Sequence, residues 1–191
     1  AAAATTKTFI LEKFPEHVFK ISALLRIFPT AKFVHIIRDP HDVAISIGSF
    51  ERYAWFGATD RKWKEICKIA SSILPADMIR NCASNSKRRG LIEWTVAMHT
   101  IESDVASIWQ KDSSKQFLEL KYEDLVRNPV RTTRNVSRFI TNECSKDAEV
   151  FALSNIKNQS TKKRDADIVK MIQTNKFIRD IAIRKGYDKY N

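Results

Sequence analysis

The chain has 191 residues, 43% of them hydrophobic and 29% charged, which fits one domain with a buried core and excludes a wholly disordered polypeptide. Four glycines and five prolines leave no long flexible linker, and no apolar run reaches the roughly 18 residues of a membrane-spanning helix. A net charge of +11 and a pI near 9.7 select polyanionic partners (nucleic acid, acidic glycan, anionic membrane, phosphorylated cofactor) without choosing among them.

The segment Ala1–Ala4 carries no charge and no signal-peptide character, and reads as an artificial or truncated start. Thr8–Glu12 is a short apolar stretch predicted as a strand or strand end. From Glu16 to Phe28 the residues Val18, Ile21, Leu24, Leu25 and Phe28 recur at helical spacing, with Pro15 in the first turn and Phe28-Pro29-Thr30 as the stop. Phe33–Ile37 is a β-branched run expected to be a strand buried on both faces of a parallel sheet. Asp39 then serves as N-cap and Pro40 as first residue of a helix whose inward face is Val43, Ile47 and Phe50.

Further on, Arg61–Leu74 has helical spacing, Pro75 interrupts it, and the polar stretch Asn81–Gly90 reads as a loop. A helix is predicted from Leu91 to Gln110, its stripe of Trp94, Ala97, Met98, Ile101, Val105, Ile108 and Trp109 being core. Gln116–Tyr122 alternates as a second strand, and Asn128-Pro129 opens a helix through about Ile140. The tail from Asn155 carries ten Lys/Arg against four Asp/Glu and includes an amphipathic helix near Ile168–Ile183. Strands alternating with helices predict a single α/β domain over residues 1–191, with a parallel sheet flanked by helices.

In such sheets ligands gather at the carboxyl ends of strands and the amino ends of the following helices, the position of Arg38. Its guanidinium offers a two-pronged fork for phosphate, and Ser46 adds a hydroxyl about two turns into the helix. The competing use of Arg38 is an ion pair with Asp39, Asp42 or another sheet-end carboxylate. The three cysteines, Cys67, Cys82 and Cys144, have neither CxxC nor zinc-like Cys/His spacing, so no metal site is expected. They read as free thiols in a reducing, cytoplasmic compartment, or as one disulfide and one thiol. Asn135-Val136-Ser137 and Asn158-Gln159-Ser160 match the glycosylation acceptor pattern, which matters only for a secreted chain.

The run from Phe28 to Ser46, with Arg38-Asp39-Pro40 at its centre, resembles the second cofactor motif of sulfotransferases. Lys121–Pro129 (Lys-Tyr-Glu-Asp-Leu-Val-Arg-Asn-Pro) is similar to that family's strand-to-helix element, and Glu12-Lys13-Phe14-Pro15-Glu16-His17 to the segment preceding its first helix. The resemblance implies a P-loop nucleotide-kinase-like fold and use of 3′-phosphoadenylyl sulfate (PAPS), leaving adenosine 3′,5′-bisphosphate (PAP). It implies that Arg38 and Ser46 bind the 3′-phosphate and that Glu12 is the general base; His17 is the second choice as base because an imidazole changes charge near neutral pH, and Lys13 is expected to help bind sulfate. Ser160–Arg164, and so Lys162, Lys163 and Arg164, corresponds to a basic loop closing over the nucleotide. The family's Pro-Lys-Ser-Gly-Thr-Thr-like loop for the 5′-phosphosulfate has no match before Glu12, which implies either an N-terminally incomplete chain, whose missing part could carry a Golgi-type anchor, or a degenerate member of the family.

The implied function is transfer of a sulfuryl group to a hydroxyl or amine acceptor, possible acceptors including glycans and other anionic substrates. The alternatives are a catalytically inactive relative binding nucleotide or anionic glycan, and a nucleic-acid binder, against which the absence of a recognition-helix or zinc pattern argues. Tyr122, Glu123 and Asp124 are expected to brace loops, not to catalyse. His35 is read as a core residue and His41 as a first-turn surface residue. Tyr53, Trp55 and Phe56 are read as core, with an acceptor or adenine pocket as the alternative.

Overall fold

The computed structural model describes residues 10–49, 61–109, 115–157 and 163–190. A 3-10 turn, Pro15–Phe19, leads into α1 (Ile21–Ile27), β1 (Phe33–Ile37) and α2 (Pro40–Ser49). There follow α3 (Arg61–Ala70), α4 (Ala76–Cys82), α5 (Ser86–Ile108), β2 (Phe117–Lys121), α6 (Tyr122–Arg127), α7 (Pro129–Thr141) and α8 (Lys146–Asn155). The chain ends with α9 (Ala166–Thr174), α10 (Lys176–Arg184) and a 3-10 turn at Asp188–Tyr190. The result is a mostly helical α/β structure around a small parallel sheet.

β1 and β2 pair in parallel with Phe33 opposite Phe117 and Ile37 opposite Lys121, so both strands end on the same side. Because side chains alternate along a strand, Ile37 and Ile36 face opposite ways. Ile37 joins the core with α2, α5, α9 and α10 and is 3% exposed, whereas Ile36 is 52% exposed. The sheet is therefore covered on one face among the described residues, not on both as the apolar run predicts.

The long helix α5 organises the rest. One side, Leu91, Trp94 and Met98, packs on Ile37, Ala44, Ile168, Ile172, Ile178 and Ile181. The other, Ile92 and Val96, packs on Trp63, Ile66, Ala70, Leu74 and Ile79. A helix buried on several sides has to be apolar on several sides, and Leu91–Met98 is buried throughout. At Gly90 a Cβ would stand 3.0 Å from the Ala44 carbonyl oxygen and 3.0 Å from Ile47 Cβ, so its bare α-carbon lets α2 lie against α5.

Several expected boundaries move for local reasons. Ile10–Phe14 has no regular structure, and Ile10 and Leu11 are 95% and 85% exposed, because no strand lies beside them among the described residues; Thr8 and Phe9 lie outside those residues. The expected helix over Glu16–Phe28 breaks at Lys20 (φ −136°, ψ 14°). The expected loop Asn81–Gly90 contains the end of α4 and the start of α5, since Asn85 Oδ1 accepts hydrogen bonds from the N–H groups of Lys87 (3.0 Å) and Arg88 (3.1 Å). The single tail helix divides at Asn175, whose side chain caps α10 through Ile178 N–H (3.0 Å). Among the described residues no helix is long and apolar enough to cross a membrane.

Candidate functional site

At the carboxyl end of β1, Asp39 caps α2. Its Oδ1 accepts from His41 N–H (3.0 Å), from Asp42 N–H (3.4 Å) and from the Tyr190 hydroxyl (2.7 Å), while Lys189 Nζ lies 2.7 Å from Oδ2. The Asp39 N–H donates to Glu123 Oε1 (2.9 Å) at the start of α6, and Tyr187 donates to the other Glu123 oxygen (3.1 Å). The ends of both strands and the chain's carboxyl-terminal residues are thus tied by two carboxylates. Burial first, then Glu123, pushes the Tyr187 hydroxyl far above its ordinary pKa, and burial with Asp39 does the same to Tyr190, so both remain donors.

Arg38 projects beside this network. Its guanidinium carbon lies 4.6 Å from the centre of the Tyr122 ring, and Nη2 donates to Asp42 Oδ2 (3.2 Å). Its carbonyl accepts from the Trp94 indole (3.0 Å), and its Nε is buried without a hydrogen-bond partner. The pairing with Asp42 is one of the two uses weighed from sequence; the unpartnered Nε leaves capacity for an anion.

His41 is not at the surface but 4% exposed. Its Nε2 accepts the Asp165 N–H (2.8 Å), so the ring proton sits on Nδ1 and points to Asp42 Oδ1 (3.1 Å). Ligand atoms of Asp39, His41 and Asp42 lie within 4.8 Å of one another. That donor set is already committed to Tyr190, Lys189, Asp165 and Arg38, an arrangement suited to anchoring a helix more than to a cation.

Ser46 is half-buried two turns along α2. One residue before it, Ile45 lines a hollow of about 590 Å³ together with Lys87, Lys163, Arg164, Asp165 and Ala166. Lys87 pairs with Asp165 (2.6 Å), whose carboxyl that hydrogen bond holds below its ordinary range. Lys163 and Arg164 are exposed at the rim. Lys162 lies outside the described residues, as do Phe50, Tyr53, Trp55 and Phe56. A second hollow of about 590 Å³ opens between β2, α6, α7 and α10, beside Lys121, Arg131 and Lys185. Two of those cations are engaged, Lys185 by Glu119 (2.8 Å) and Lys121 by the Gly186 carbonyl (2.8 Å).

Glu12 and Lys13 are exposed, and Glu12 Oε1 lies 3.9 Å from His17 Nε2. The structure brings these two candidate bases together, and separately gathers Ile45 beside Ser46 with Lys163 and Arg164. Sequence reasoning missed Tyr187, Lys189, Tyr190 and Trp94 as supports of the Arg38 strand end. Trp94 stood in the apolar stripe predicted as core, whereas the partner of Tyr190, 151 positions away, left no signal in the sequence.

Residues 1–145 match the model of the Sulfotransferase family. The chain belongs to that family. Within this sulfotransferase-family chain, 37 residues are 60% identical to a stretch of omega-hydroxy-beta-dihydromenaquinone-9 sulfotransferase from Mycobacterium bovis, and equally to the protein of that name from Mycobacterium tuberculosis. The shared stretch covers 19% of this chain and 9% of each relative. No solved structure matches the chain.

Proposed function

We propose that this chain supplies the 3′-phosphate side of a sulfotransferase of P-loop-like fold, moving a sulfuryl group from PAPS to a hydroxyl or amine. The observation that carries the reading is Arg38, fixed at the end of β1 by Tyr122 and Asp42 with a buried, unpartnered Nε. It is supported by the basic hollow along α2, where Lys87, Lys163 and Arg164 border the helix that carries Ser46. Arg38 and Ser46 hold the 3′-phosphate, and Lys163 and Arg164, continuous with Lys162, close over the nucleotide. A hydroxyl acceptor is favoured, because the mycobacterial relatives are named for an omega-hydroxy compound.

PAPS supplies the sulfuryl group and departs as PAP. The protein has to align the acceptor oxygen with the bond that breaks, remove its proton and neutralise charge on the leaving oxygen. Glu12 takes the proton as the acceptor–sulfur bond forms, with His17 beside it at 3.9 Å, and Lys13 faces the sulfate.

Calorimetric titration of the natural full-length protein with PAP tests this. Arg38→Ala weakens binding at least tenfold, about 1.4 kcal/mol, whereas Glu12→Gln leaves binding intact and stops turnover. Unchanged PAP affinity in Arg38→Ala returns that side chain to a structural role.

A further inference from the structure

Three hydrogen bonds in series run from the Arg38 guanidinium to the loop before α9. Arg38 Nη2 donates to Asp42 Oδ2 (3.2 Å), and the other oxygen of that carboxylate receives His41 Nδ1–H (3.1 Å). His41 Nε2 in turn accepts the Asp165 N–H (2.8 Å). The ring is 4% exposed and both its nitrogens are satisfied, so it is held in one orientation. A backbone N–H can only donate, so this bond needs an acceptor at the Nε2 position.

Asp165 is fastened twice, and the two fastenings act on different atoms. Its carboxylate binds Lys87 on α5 (2.6 Å) and caps α9 through the N–H groups of Asp167 (3.1 Å) and Ile168 (3.3 Å). Those bonds hold the residues that follow. The Asp165 N–H belongs instead to the planar peptide joining it to Arg164, so the bond to His41 fixes that plane and the backbone from which Arg164 projects. Arg164 is exposed and lines the hollow bordered by Ile45 and Lys87. A long side chain loses rotamer freedom when it grips a ligand, and a backbone fixed beforehand reduces what else has to be ordered.

We propose that His41 is a positioning residue for nucleotide binding, coupling Arg38 to Arg164 through the Asp42 carboxylate and the Asp165 peptide. This rests on the sulfotransferase reading and adds to it a buried side chain that touches no ligand itself. The chemistry of the bond sets which replacements serve. A Gln carbonyl reaches the Nε2 position and can accept the Asp165 N–H, whereas the shorter Asn reaches only the Nδ1 position.

The test uses the natural full-length protein and calorimetric titration with PAP. His41→Asn weakens binding at least tenfold, about 1.4 kcal/mol, and His41→Gln restores most of it. Arg164→Ala weakens PAP in the wild type but adds little in His41→Asn, where Arg164 is already displaced; a residue serving stability alone would give additive losses. Amide exchange at Asp165, followed by NMR without PAP, is slow in the wild type and His41→Gln and at least tenfold faster in His41→Asn. Wild-type affinity in His41→Asn, equal weakening by Asn and Gln, or additive losses with Arg164→Ala overturns the proposal. Should circular dichroism show His41→Asn unfolded, Asp165→Pro, which removes the donated N–H, is compared with Asp165→Ala, which keeps it. Weaker PAP binding by the proline variant upholds the proposal, and equal affinity overturns it. Failure of the wild type to bind PAP removes the sulfotransferase reading, while equal exchange at Asp165 in the Asn and Gln variants would separately overturn the hold of His41 on that peptide.

Discussion

The Asp39 carboxylate receives two backbone N–H groups from its own helix turn, the Tyr190 hydroxyl and the Lys189 ammonium. The first two are local, so the Asp-Pro pair announced them: a short acceptor ahead of a proline that needs no N–H. The others come from the far end of the chain, Tyr190 being 151 positions away. No spacing rule reaches across that interval. His41 was misread for the same reason. As a first-turn residue it looks solvent-facing, but the Asp165 N–H, 124 positions away, closes over its Nε2. Tyr190→Phe removes a 2.7 Å bond between a buried hydroxyl and a carboxylate, which costs about 2 kcal/mol. Thermal denaturation should then show a melting temperature several degrees lower, while Tyr122→Phe, whose ring still stacks on Arg38, should leave it nearly unchanged.

Elements were legible where their ends carry a strong local signal. Phe33–Ile37 and the helices opened by Pro40 and Pro129 follow their sequence cues closely. The start of α5 did not, because Lys87 and Arg88 look like loop residues while their partners are distant. Lys87 pairs with Asp165 (2.6 Å) and Arg88 grips Asp167 at 2.6 and 2.8 Å, so a basic first turn, unfavourable beside the helix dipole, is neutralised from α9. Asn85 was the available sign. Asn85→Ala should cost about 1 kcal/mol through loss of the cap, read as a lower denaturant midpoint with an unchanged slope. A change in slope would mean that the first turn of α5 unfolds separately from the body of the helix.

Across the whole molecule, carboxylates fasten the carboxyl-terminal helices to the sheet and to α5. Burial alone would raise the Glu119 carboxyl, but hydrogen bonds from His35 and Lys185 outweigh it and hold it below its ordinary value. Asp167 is lowered first by its hydrogen bond from Arg88, and Asp165 by that from Lys87. A carboxylate whose folded pKa is depressed contributes stability that is present above its unfolded pKa and lost as pH falls through the folded one. Glu93 has the opposite sign: its folded pKa is raised, so its contribution is present in acid and lost as pH rises through that value. Among the described residues the lowered carboxyls (Glu65, Glu119, Glu149, Asp165, Asp167 and Asp180) outnumber the raised ones (Glu93 and Asp104), which predicts a melting temperature that falls as pH drops below about 4, where ordinary carboxylates take up protons. Glu119→Gln should lower the neutral plateau and flatten the acid limb, because the variant has already lost the charge that acid removes. Glu93→Gln should instead leave the acid limb as steep as in the wild type and raise stability at neutral pH relative to acid. A Glu119→Gln profile parallel to that of the wild type would show that the tie between His35, Glu119 and Lys185 does not govern acid unfolding, and would shift that role to Asp165 and Asp167 at the start of α9, paired with Lys87 and Arg88 on α5.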